Sequence, residues 1–157
     1  MNVATLIHNC LTFYWEETNP PKTDIAWKYD EFDSKNPSLQ VLIENLPIRS
    51  TWVSRGMYRV EHKVRITMYM KLTSYKDSRV NEYKDTWFNT KKEIDRILAQ
   101  NKFNLTDIIN LDLPGGWNDK ESIAVGRGIK AVREPIIWRS EQDVIAVYYI
   151  VSNLGTE

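Results

Sequence analysis

Few residues of this chain are of a type that does chemistry. Its two histidines are His8 and His62, and its one cysteine is Cys10. General acid–base or nucleophilic catalysis needs such groups beside a hydroxyl, thiol or carboxylate that activates them. The sequence places no such partner for either histidine. Cys10 falls on the apolar stripe of a helix, where a thiol is structural. Asp30, Glu31 and Asp33 suggest a cation loop only loosely, because the central glycine and the distal bidentate Glu of a calcium loop are missing; they read as a solvated turn. Gly115-Gly116 and Gly126-Arg127-Gly128 lack the spacing of a phosphate loop and its following Lys-Ser or Lys-Thr, and read as turns. Among 21 acids nothing singles out a catalytic pair. These residues describe a non-enzymatic protein that carries no cofactor and no metal.

Charge offers a second kind of chemistry. Arg59, Lys63, Arg65 and Lys71 share one face of an extended stretch with Tyr69, and Arg49, Trp52 and Arg55 precede it. Basic groups interleaved with aromatic rings bind phosphates and stack bases, so this face is the nucleic-acid candidate. Glu61 interrupts it, and no recognition motif accompanies it. Lys plus Arg equals Asp plus Glu at 21 each, so no global field gathers nucleic acid or an anionic membrane.

The element that positions this face runs from Tyr58 to Leu72. Tyr58, Val60, His62, Val64, Ile66, Met68, Met70 and Leu72 occupy alternate positions, with mostly charged residues between them. Period two means a strand with one apolar and one charged face. At about 3.3 Å per residue it reaches roughly 50 Å, long for a compact domain. It either bends at a bulge to serve two sheets or projects at one end as half of a hairpin arm.

The other elements are arranged around it. Val3, Leu6, Ile7, Cys10, Leu11 and Tyr14 make one stripe on a helix over residues 2–15, which stops before Asn19-Pro20-Pro21. Alternation predicts a strand over 24–30, an acidic turn from Asp30 to Pro37, and a second strand at Leu39, Val41 and Ile43 that stops at Asn45-Leu46-Pro47. Gly56 is placed as a bulge or bend. Ser74 to Arg79 reads as a polar loop or hairpin tip. Asp85 or Thr86 then caps a helix whose apolar positions Tyr83, Trp87, Ile94, Ile97 and Leu98 run to about Asn101, with Glu93 and Asp95 facing solvent. Phe103 to Leu113 fits a short helix or a strand, the strand ending at Pro114. Ile129 to Glu134 and Ile136 to Trp138 read as strand on either side of Pro135. Val144 to Val151 is apolar at nearly every position, as a central strand covered on both faces would be.

The sequence therefore predicts a single α+β domain over 1–157, with a mainly antiparallel sheet around a long central strand and an N-terminal and a central helix packed on it. With 42% hydrophobic and 27% charged residues it can build a core. One cysteine excludes an internal disulfide, the first residues lack the pattern of a signal peptide, and no apolar run approaches the roughly 20 residues of a membrane helix. The expected setting is a cytoplasm, with no membrane partner.

The order helix, strand, strand, long strand, loop, helix, strands resembles the tail terminator and tail completion proteins of long-tailed viruses of bacteria and archaea. The matching stretches are Val3 to Tyr14, Ile25 to Leu72, Tyr83 to Asn101, and Ile129 to Val151. The resemblance lies in element order, and the segment from Pro114 to Gly128 is longer than the pattern asks. It implies a homo-oligomer, a hexameric ring at the end of the tail tube that joins it to the head-side connector, with DNA passing through the lumen without sequence-specific binding. A virion tail assembled in the host cytoplasm is then the location. Met57, Tyr58, Met68, Tyr69 and Met70 are the interface candidates, since Met and aromatic residues are enriched where proteins meet.

Overall fold

The computed structural model describes residues 2–17, 22–25, 39–72, 77–113, 116–124 and 136–151. The predicted turn at 30–37, the strand at 129–134 and the tail after 151 lie outside them. Eight elements follow in order: α1 (Val3–Tyr14), β1 (Lys22–Ile25), β2 (Gln40–Ser54), β3 (Met57–Leu72), α2 (Asp77–Gln100), β4 (Asn110–Asp112), β5 (Asn118–Ala124) and β6 (Ile136–Val151). The class is α+β. The sheet runs β1-β2-β3-β6, and β4 and β5 lie one after the other along the far side of β6. Every pair is antiparallel except β1 with β2.

β3 is the predicted long strand, and of the two expected fates it takes the projecting one. It pairs with β6 residue for residue from Met57↔Val151 to Leu72↔Ile136 without a register shift. On its other side it forms a hairpin with β2, closed by the turn Arg55-Gly56. Gly56 takes φ +76 there, a conformation that costs a residue with a Cβ. It is thus a hairpin turn rather than a bulge.

Two strands are longer than their sequence suggests. β2 does not stop at Pro47 but runs on to Ser54. Pro47 sits inside a register shift between Asn45 and Ile48, where the ladder does not call on its missing N–H. Likewise Ile136 to Trp138 and Val144 to Val151 belong to one strand of 16 residues, because the charged residues between them occupy its solvent side. β1 starts at Lys22, two residues earlier than the alternation indicates.

The helices cover one face. Val3, Ile7, Leu11, Ile94, Ile97 and Leu98 meet Val41, Ile43, Val60, Val64, Ile66, Met68 and Val144 in a single core. The start of α1 is clamped to β2 through two asparagines. Asn2 Oδ1 accepts from Thr5 N at 3.2 Å and from Asn45 Nδ2 at 2.9 Å, and Asn45 Oδ1 accepts from Ala4 N at 3.0 Å. Two of the helix's otherwise unpaired N–H groups are satisfied in this way, one by its cap and one by the sheet.

α2 corrects the sequence reading at its start. It begins at Asp77, not at Asp85 or Thr86, and Thr86 returns its hydroxyl to the carbonyl of Glu82 at 3.0 Å inside the helix. Glu93 and Asp95 do not face open solvent either. Glu93 is buried and pairs with Arg96, while Asp95 accepts from Trp117 Nε1 at 3.0 Å and from Gln142 Nε2 at 3.0 Å. Lys91, also buried, reaches Asp119 at 2.6 Å. The charges on this side of α2 tie the helix to β5 and β6. After α2, residues 101–109 are turns pinned by Ile108 and Leu111, and only Asn110–Asp112 joins the sheet.

Candidate functional site

The basic face of β3 is a ladder of alternating charge. Arg65 Nε donates to Asp143 Oδ1 at 3.0 Å and lies 3.7 Å from Glu141, and Lys63 Nζ lies 3.3 Å from Asp143 Oδ2. Arg59 pairs with Glu61 on its own strand. Register explains this: Arg65 stands directly opposite Glu44 on β2 and Asp143 on β6. Three of the four nucleic-acid candidates, Arg59, Lys63 and Arg65, thus already hold carboxylates. The side chain of Lys71 lies outside the described ones. Tyr69, the aromatic of that face, is buried. Burial pushes the Asp143 carboxyl up, and the hydrogen bonds and charges of Arg65 and Lys63 outweigh it, leaving the group below its ordinary 3.8. Arg65 is raised above its ordinary value by the same bond.

The nucleophile and acid–base candidates are dispersed. Cys10 is buried against the core, and burial pushes its thiol up to about 11, so it stays protonated. His8 is half-buried on α1. His62 is buried on the core face of β3, between Ile48 and Ala146 in register and 6.4 Å from the ring of Tyr148. Neither of its ring nitrogens has a hydrogen-bond partner among the described residues. Among those residues no group of three or more His, Cys, Asp and Glu side chains could hold a metal ion. Among the described residues, too, no helix is long and apolar enough to cross a membrane.

The buried imidazole gives the fold a pH dependence with a definite sign. Burial lowers the His62 pKa below its ordinary 6.5, because the charged form loses its hydration. The unfolded chain then takes up a proton more readily than the folded one. Stability is fully present above pH 6.5 and is lost as pH falls through the folded value. Thermal unfolding between pH 8 and 5 should show the midpoint dropping below about pH 6.5, and His62→Leu should flatten that drop. A second loss should follow below 3.8, where Asp143 and Asp119, both held low by their bases, must be protonated. A drop in His62→Leu equal to that of the native chain would assign the upper phase elsewhere.

What the chain does present is an apolar sheet end. A helix of 24 residues reaches about 36 Å at 1.5 Å per residue, whereas 16-residue strands reach about 50 Å. β2, β3 and β6 run on past the helix layer as a three-stranded blade. Trp52, Tyr58 and Ile150 lie opposite one another in one row across it, on the side that the helices cover farther along. Trp52 is 65% exposed, Ile48 and Ile150 are exposed on the same side, and Tyr149 and Val151 are exposed on the opposite one. Of the predicted interface residues, Tyr58 lies in this row and Met57 lies at its tip. Met68 and Met70 do not join them: they are buried in the chain's own core, and Tyr69 is buried on the opposite face. The alternation that marks a strand does not tell where its covering helices end, so Ile150 gave no signal of its exposure, and Trp52, expected among the basic residues, lies on the opposite face from Arg59.

Among the described residues, two clefts open on the helix side. One, of about 370 Å³, lies between Glu16, Glu17, Lys92, Glu93 and Arg96. The other is a groove of about 330 Å³ between α1 and the turns after α2, with Leu6, Cys10, Phe13, Tyr14 and Leu105 as its apolar lining. Compared with known proteins, the chain matches no family model and no curated protein.

Proposed function

We propose that this chain is a non-enzymatic assembly protein that works by associating with copies of itself, in the manner of the tail terminator and tail completion proteins its element order resembles. Subunits join in a ring of six at the end of a tail tube. The ring stops the tube's growth and offers the head-side connector a docking surface, with DNA passing through its lumen. The observation that carries this reading is the uncovered row Trp52, Tyr58 and Ile150 at the end of three fully paired strands. Large apolar side chains grouped in this way mark contact surfaces, and Trp and Tyr are the residues on which binding energy concentrates. The carboxylates that hold Arg59, Lys63 and Arg65 favour assembly over the alternative, a nucleic-acid-binding module.

Light scattering on the purified chain tests it. The expected result is a particle of six chain masses, or a monomer that assembles when concentrated or mixed with tail tube. A chain that stays monomeric under all these conditions, and that binds single-stranded DNA with an affinity falling steeply as salt rises, would overturn the proposal.

A further inference from the structure

His62 lies beside the end of α1 that two asparagines hold to the sheet, and we propose that it is a proton-operated latch: when the ring takes up a proton, the first turns of α1 leave the sheet while the rest of the core stays closed. The clamp sets the geometry. Asn45, which donates to Asn2 and accepts from Ala4 N, stands in register with Val64, and His62 is the next residue of β3 on that face. His62 is 3% exposed although Ile48, its neighbour on β2, is 53% exposed. Its cover comes from the helix layer, where Val3, Ala4 and Ile7 turn inward, and from Tyr148. Both ring nitrogens are buried without a hydrogen-bond partner among the described residues. A neutral imidazole tolerates that place at moderate cost, whereas an imidazolium needs water or an acceptor.

The surroundings supply no counter-charge. On the strands beside β3, the residues of that face are Asn45, Ile48, Val144, Ala146 and Tyr148, with Leu111 of β4 beyond Ala146, and only the phenol of Tyr148 titrates among them. Glu61 and Lys63 of β3 and Asp112 of β4 fall on the other face. Glu93 of α2 is held by Arg96 at the opposite end of α1, where Arg96 also donates to Tyr14 O at 3.1 Å. On α1 the titratable groups are His8 and Cys10, and the thiol stays protonated. What the ring does meet is the amino-terminal charge and the positive end of the α1 dipole, and both repel an imidazolium. Opening lets water reach the ring and separates these charges. The first turns of α1 are the part that opens at least cost, because the side-chain bonds that tie them to the sheet among the described residues are those of Asn45. The latch is independent of self-association.

Hydrogen exchange on the whole chain between pH 8 and 5, corrected for the pH dependence of the chemical exchange step, tests the latch. The amides of residues 4–7 should be less protected than those of 64–68 and 94–98 at every pH. Below pH 6.5 their protection should fall by up to about tenfold per pH unit, the slope of one linked proton, until the closed form itself takes up the proton. His62→Leu should keep the difference between the segments and lose the pH-dependent fall. His62→Gln, which keeps a polar side chain without a titrating group, should behave likewise and serves if the leucine disturbs packing. If residues 4–7 share the protection of 64–68 at every pH, α1 opens only with the whole domain and the latch is overturned. A fall that persists in both variants assigns the proton to another group, such as His8, and overturns it too. So does a native chain in which the protection of residues 4–7 does not change with pH.

Discussion

Val64→Asp is expected to leave no folded protein. Val64 is fully buried on the core face of β3, in a row with Asn45 and Val144, and the amide of Asn45 is already engaged with α1. A carboxylate at this position would be desolvated without a cation to meet it. Losses above about 4–5 kcal/mol come from buried unpaired charge of this kind, and they approach the roughly 5–15 kcal/mol that holds a domain together. Ile66→Asp should be as severe, since Ile66 is opposite Gln142, whose amide already serves Asp95, so the new carboxylate would stand near an existing one. Ile66→Val is the graded control, at about 0.5–1.5 kcal/mol with folding retained. Circular dichroism and the soluble yield read the result. Two aspartate variants with native melting would mean that the wrong face of β3 has been placed against the helices.

The second large effect is expected at Asp95. Its carboxylate is the acceptor for both Trp117 Nε1, at 3.0 and 3.1 Å to its two oxygens, and Gln142 Nε2, at 3.0 Å. Asp95→Ala removes the acceptor from both donors at once. Each donor left unsatisfied away from water costs about 1–3 kcal/mol. Asp95→Asn keeps one acceptor oxygen and should lose less. A double-mutant cycle with Trp117→Phe isolates the contact: if the bond holds the chain before β5 to α2, the two losses are not additive. Additive losses in denaturant unfolding would show that Trp117 and Asp95 act separately.

How much of this could be read from residues alone depended on what each element leans against. α1 and β3 declare themselves because each has one continuous apolar face, and Cys10 and His62, which fall on those faces in the sequence pattern, are buried there in the structure. β5 went unrecognised because Asn118, Asp119, Lys120 and Glu121 show no apolar alternation; its place is fixed by pairing with β6 and by the grip of Lys91 on Asp119. The first turns of α2 read as a loop for a related reason, since residues 77–82 are almost wholly polar. β6 was divided in two by Arg139, Glu141 and Asp143, whose charge is explained by Arg65 and Lys63 on the neighbouring strand. The candidate site depended on a comparison of lengths between helix and strand, which no local pattern contains.

The uninterrupted alignment of β3 with β6 has a kinetic side as well. Leu72 meets Ile136 and Met57 meets Val151, so the middle of the sheet is built from residues far apart in the chain, while the β2–β3 hairpin closes locally through Arg55-Gly56. Topologies dominated by such remote contacts fold on the order of milliseconds to seconds. On a ribosome the hairpin is complete long before its third strand has been synthesised. For that interval α1 and α2, both made earlier than β6, can cover the apolar side of β3, but its free edge has no β6 to pair with, which makes the nascent chain most prone to clump just before its last strand arrives.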